Sequence, residues 1–229
     1  CRLIKLRDPD RFRELINRLT TGRRVLISHY VNAKLALSKT VIDSLLLRDM
    51  KILVVDENLY MTKYGLLESE TPNLTYVQKN SGFNKNTYVD LALFIEPNFI
   101  PKPVFSQNIL VTVTPKYGLR IPKYYSISYL KKIVGNKYFL EFRDYGERFR
   151  IIVSGLDIDV ADDKPHGLLG TILDVLRRSM LEYGELSVKD AVNIVHHELG
   201  LENSVARMMI YRLANEKYLE IRKGRVIVY

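Results

Sequence analysis

Two short buried-type runs, RRVLISH (23–29) and KILVVDE (51–57), frame a stretch in which Leu35, Leu37, Val41, Leu45 and Leu46 recur near helical spacing. A strand, a helix and a second strand within about thirty residues make a βαβ unit. Such a unit needs a parallel sheet, because its crossover must return the chain to the same end, and that crossover is right-handed. Such strands read as buried, with the helix packed on the sheet. An α/β core is therefore required from this segment outward.

More strands of the same kind follow at YVDLALFIEP (88–97) and NILVTVTP (108–115), with the Pro-containing NFIPKPVFSQ between them as loop. Upstream, DPDRFRELINRLTTG (8–22) predicts a short helix with an Asp cap, Pro in the first turn and a stop at Gly22. Downstream, the runs YYSISYLKKI, NKYFLEFRD and RFRIIVSG are rich in Tyr and β-branched residues and are separated by VGN and YGE. They predict an antiparallel meander at the sheet edge. DIDVADDKPHG (157–167) is acidic and carries Pro and Gly, so it is expected to be linker.

Beyond it the pattern is mostly helical. A helix is expected over 168–183, and a short strand followed by a helix capped by Ser187 and ended at Gly200 over 185–201. A further helix is expected over 202–218, with Asn203 as its cap, and then a hairpin in YLEIRKGRVIVY. Three helices and a terminal hairpin in about 65 residues match the winged helix-turn-helix layout. The expected domains are 1–158 and 167–229, joined by 159–166.

The segment SHYVNAKLAL between the first strand and its helix sits where a nucleotide-binding chain keeps its phosphate loop. Together with VVDENLY, LALFIEP and ILVTVTP, in that order, it resembles the RecA/RadA recombinase family of P-loop ATPases. The resemblance spans roughly 20–158. It implies a RecA-like, mostly parallel sheet with antiparallel edge strands, followed here by the winged helix domain. It also implies nucleotide-binding positions: Lys34 stands for the phosphate-loop lysine, Asp56 and Glu57 for the acidic end of the second strand, and Glu96 for the Walker B carboxylate.

The departures from that pattern decide the expected chemistry. Glycines let a phosphate loop turn its N–H groups inward at positive φ, and here Val31 and Ala33 stand at the tip. The Mg²⁺-binding Ser or Thr is replaced by Leu35, which offers no oxygen. Phosphoryl transfer without the metal and the N–H cradle loses its main electrostatic support. An inactive core is expected, with no catalytic residue, no cofactor and no metal site. His196 and His197 are adjacent on a helix and cannot share one tetrahedral ion. The single Cys permits no internal disulfide.

Charge points to the partner. The chain carries +9, with 26 basic against 18 acidic residues over 1–164 and nine against eight over 165–229. The excess is densest between Lys116 and Arg150, with nine basic residues, three acidic ones and six Tyr. Nucleic acid is the expected acidic partner. In RecA-like proteins the loop after the fourth strand reaches into the DNA path, which makes Lys116, Tyr117, Arg120 and Lys123 candidate contacts to single-stranded DNA. In the second domain Arg207, Tyr211 and Arg212 on one helix, with Arg222, Lys223 and Arg225 at the wing, are candidates for a groove and its phosphates.

The reading favoured by these features is a non-catalytic, DNA-associated accessory or adaptor protein of replication, recombination or repair, with a protein partner in a larger complex. A ligand-responsive winged-helix transcription regulator and a weak ATPase are the alternatives. No run is apolar enough to span a membrane, and the first residues show no basic-then-apolar leader. A cytoplasmic, nucleoid-associated protein is expected, and few Gln, no Trp and abundant charge fit a thermophile.

Overall fold

A computed structural model describes residues 8–65, 72–78, 88–102, 106–116, 120–161 and 164–228. The chain divides into two compact units, residues 1–132 with 136–161 and residues 133–135 with 162–229.

The first unit opens with α1 (Pro9–Thr20), where Asp8 accepts the Arg11 N–H at 3.0 Å and Pro9 occupies the first turn. β1 (Arg23–Ile27), α2 (Val31–Leu46) and β2 (Ile52–Val55) are the βαβ unit required by the sequence. α3 (Tyr60–Lys63) and β3 (Leu74–Val77) follow, then β4 (Leu91–Ile95) and β5 (Ile109–Val113). β6 (Ser126–Val134), β7 (Lys137–Phe142), β8 (Glu147–Ser154) and β9 (Asp157–Ala161) complete one nine-stranded sheet, ordered β3-β2-β4-β5-β1-β6-β7-β8-β9.

Alternation along the strands explains the two cores. Leu26, Ile52, Val54, Leu93 and Leu110 lie in the same core as Leu15, Ile16 and Leu19 of α1 and Leu35, Leu37 and Val41 of α2. Their neighbours Val25, Leu53, Val55, Phe94 and Val111 point to the opposite face, where Ile100 and Ile121 pack against them. Burial on both faces accounts for the unbroken apolar runs.

In this sheet one expectation needs correction and two features were not anticipated. The antiparallel meander is seen in β7 and β8, but its first strand, β6, joins the central sheet by pairing with β1 in parallel, in the register Val25↔Ile127 and Ile27↔Tyr129. The connection from β5 to β6 spans about a dozen residues, long enough to return the chain to the starting end of the sheet, as a parallel strand demands. Residues 157–161 are strand rather than linker, paired antiparallel to β8 with Ile158 opposite Val153. Ile158 and Val160 enter the core on alternate positions, a period of two masked by the intervening aspartates. The strand β3 was not anticipated; it is four residues long and only partly buried at the sheet edge.

Arg24 is 1% exposed within β1, yet its charge is satisfied. It donates to both carboxylate oxygens of Asp144 at 3.0 and 2.8 Å and to Ser128 Oγ at 3.0 Å, tying β1 to the β7–β8 turn.

The second unit is α4 (Leu168–Tyr183), β10 (Leu186–Ser187), α5 (Val188–Leu199), α6 (Asn203–Asn215), β11 (Leu219–Arg222) and β12 (Arg225–Val228). Its strands form a small antiparallel sheet ordered β10-β12-β11. Ile172, Leu176, Val195, Ala206, Ile210 and Leu213 are fully buried at its centre. Ser187 caps α5 through a capping box with Asp190, as the sequence indicated. Asn203 does not cap α6: it is the first helical residue, and Glu202 precedes it without a side-chain cap. The β11–β12 hairpin turns on Lys223 and Gly224, both at positive φ (49° and 76°), the geometry of a tight two-residue turn. Among the described residues no helix is long and apolar enough to cross a membrane.

Candidate functional site

The strands β1, β2, β4 and β5 are mutually parallel, so their C-terminal ends meet along one edge of the sheet. In open α/β sheets that edge is where ligands bind. Here it gathers Ser28 after β1, Asp56, Glu57 and Asn58 after β2, Glu96 after β4 and Thr114 after β5, with the start of α2 beside them.

The connection from β1 to α2 is only Ser28, His29 and Tyr30, and Val31 already lies in the helix. Ser28 Oγ donates to Leu130 O at 2.7 Å and accepts the Tyr30 N–H at 3.1 Å, which fastens the short turn to β6. Lys34 thus falls in the first turn of α2 and is 1% exposed. It forms an ion pair with Glu96 and donates to Thr114 Oγ1 at 2.8 Å. The second oxygen of Glu96 accepts the Thr114 N–H at 2.8 Å. Burial pushes the Lys34 ammonium below its ordinary range, Glu96 opposes that shift, and the nearby Lys116 charge adds to it.

Glu96 itself sits at φ 45°, a left-handed conformation that a residue with a Cβ rarely holds. Its carbonyl accepts from Asn58 Nδ2 at 3.2 Å. Strained residues persist where their surroundings over-determine them, and the contacts to Lys34, Thr114 and Asn58 do so here.

The other two acidic candidates have different tasks. Asp56 is fully buried and accepts the N–H groups of Tyr60 (3.0 Å) and Met61 (2.7 Å) and the phenol of Tyr76 (3.0 Å). It anchors the start of α3. Glu57 accepts from Asn98 Nδ2 at 2.9 Å. The structure therefore brings Lys34 and Glu96 into contact, and it gives Asp56 and Glu57 separate partners. Asn58, Asn98, Tyr76 and Ser28 were missed in the sequence. Only the position of Ser28, directly after an apolar strand, could have singled one of them out.

Of the proposed DNA contacts in the β5–β6 connection, Lys116, Arg120 and Lys123 are exposed, and Tyr117 lies outside the described residues. Tyr124 beside them is exposed, whereas Tyr125 is 5% exposed and donates its phenol to Pro101 O at 2.9 Å. Burial pushes the Tyr125 phenol up to about 12.

In the second unit Ser204, Arg207, Met208, Tyr211 and Arg212 share the exposed side of α6. Arg212 pairs with Glu216 at 3.2 Å, Arg222 with Glu220 at 2.5 and 2.9 Å, and Arg225 with Glu185. Lys223 is exposed at the hairpin tip. Three of these six candidate positions thus carry charge already shared with a carboxylate. His196 Nδ1 lies 2.6 Å from Leu201 O, and its ring meets that of His197 edge-on. Among the described residues no group of three or more His, Cys, Asp or Glu is placed to hold a metal ion.

No family model matches this chain, and no curated protein was found to be similar to it.

Proposed function

We propose that this chain is a non-catalytic, DNA-associated accessory or adaptor protein of replication, recombination or repair, built on a RecA/RadA-like core that no longer turns over nucleotide. The observation that carries the reading is the buried contact of Lys34 with Glu96 and Thr114. The cation that would meet a nucleotide's phosphates is already neutralised from within. Drawing it out would leave Glu96, 5% exposed, as an uncompensated buried charge. The three-residue turn before α2 leaves no length for a backbone cradle, and Leu35 offers no metal ligand.

Support for the core type comes from the strand order, with β5 inserted between β1 and β4 so that Lys34 and Glu96 meet across it. The order α4-β10-α5-α6-β11-β12 supports a winged helix as the second unit. Net charge and the exposed Lys116, Arg120 and Lys123 support an acidic polymer as ligand. The near-neutral second unit, with Arg212, Arg222 and Arg225 paired to carboxylates, supports a protein partner there as well as DNA.

Fluorescence anisotropy with single-stranded, duplex and forked DNA over a salt series, with and without ATP and Mg²⁺, tests the proposal. Salt-sensitive binding that ignores ATP is the expected result. Absence of binding to every DNA would overturn the DNA assignment, and measurable ATP hydrolysis abolished by Lys34→Ala would overturn the inactive core.

A further inference from the structure

The antiparallel half of the sheet has a second side that the nucleotide-site argument does not use. Leu130, Leu140, Phe142, Phe149 and Ile151 of β6, β7 and β8 face the core beneath α1 and α2. By strand alternation Tyr129, Lys131, Phe139 and Arg148 occupy the opposite face, and Arg143, the first residue of the β7–β8 turn, reaches it over the Tyr129 ring. Tyr129 and Phe139 are half-buried there, whereas Lys131, Arg143 and Arg148 are exposed.

The cations on this face are arranged around the rings. The Arg143 guanidinium lies 4.7 Å from the centre of the Tyr129 ring, and Lys131 Nζ lies 5.4 Å from it. Arg150 lies 4.6 Å from the centre of the Phe139 ring on the neighbouring strand. Glu141 takes Lys131 at 2.5 Å and Arg148 at 2.9 Å, so two cations share that acid, and the neighbouring β9 adds Asp157 and Asp159 to the same face by alternation. Lys131, Lys137, Arg143, Arg148 and Arg150 outnumber Glu141, Asp157 and Asp159, so the face keeps an excess of positive charge beside aromatic surface.

We infer that this face of β6–β8 is a binding platform for single-stranded DNA, with bases stacking at Tyr129 and Phe139 and phosphates meeting Lys131, Arg143 and Arg148. The platform rests on the DNA reading above and adds a surface distinct from the β5–β6 connection and from α6. Aromatic faces accept any unstacked base, and guanidinium planes extend the stack, whereas the bases of a duplex are not free to reach them. The strands hold rings and cations in fixed register, which lowers the ordering cost of binding.

The test uses the full chain and a fluorescein-labelled oligo-dT. Lys131→Ala/Arg143→Ala removes two exposed cations and leaves Glu141 paired with Arg148. It is expected to weaken oligo-dT binding about tenfold and to reduce the salt slope by about 1.4, at roughly 0.7 for each single-strand phosphate contact. Tyr129→Leu is expected to weaken it by a similar factor through loss of stacking. Photocrosslinking of a 5-iododeoxyuridine oligonucleotide to the unmodified chain is expected to label the peptide containing Tyr129 or that containing Phe139, a readout independent of how the variants fold. Wild-type affinity in both variants, with crosslinks only elsewhere and binding lost in Lys116→Ala/Lys123→Ala, would overturn the platform and leave the DNA reading standing. Failure of the unmodified chain to bind any nucleic acid would overturn both.

Discussion

Lys34 shows how one buried pair can change the meaning of a position. At the start of a helix after an apolar strand, a lysine would ordinarily be solvated or poised for phosphate. Here it is enclosed with Glu96. Lys34→Met is expected to destabilise the fold by about 3–5 kcal/mol in urea unfolding, because Glu96 is left as a buried, unpaired charge. Lys34→Met/Glu96→Leu is expected to be more stable than that single variant, since removing both charges removes the penalty. Tyr125 offers a test through pH. Its phenol titrates at about 12 in the folded chain against about 10 when unfolded, so the folded state holds the proton longer. Its contribution is complete below pH 10 and is lost as pH rises through 12, by about 3 kcal/mol. Tyr125→Phe is expected to show a smaller fall in stability than the parent chain between pH 10 and 12.

Among the elements, β9 is the one whose composition misleads. Three acidic or small residues alternate with Ile158 and Val160, and the charged positions dominate any reading by content. Pairing with β8 and burial of the two apolar side chains make it an edge strand of the core. Ile158→Ala is therefore expected to cost about 2–5 kcal/mol by chemical denaturation, where a linker position would be nearly silent. The caps behave more simply, because they depend on neighbours within one turn. Ser187→Ala removes the capping box of α5 and is expected to lower stability by about 1 kcal/mol, read from thermal unfolding.

For the molecule as a whole, charge distribution is what would govern contact with the polyanion proposed above. Lys116, Arg120 and Lys123 are exposed, whereas Arg212, Arg222 and Arg225 must first release a carboxylate. Lys116→Ala/Arg120→Ala/Lys123→Ala is expected to reduce the salt slope for oligo-dT by about 2, with a smaller change for Arg212→Ala/Arg222→Ala/Arg225→Ala. A slope unchanged in the first variant and reduced in the second would move the principal contact to the second unit.

What could be read directly from residue order was local. The βαβ unit, the Asp8 and Ser187 caps and the terminal hairpin each depend on residues close in sequence or on periodicity within one element. Partnership across the sheet was not legible, because it depends on which strands become neighbours. Lys34 meets Glu96 only because β5 lies between β1 and β4, and Arg24 meets Asp144 only because the β7–β8 turn returns to β1. The parallel entry of β6 followed from where a long connection delivers the chain, and no propensity within β6 encodes that direction. Burial then settled the charges, since a cation withdrawn from water must take the carboxylate that the topology brings to it.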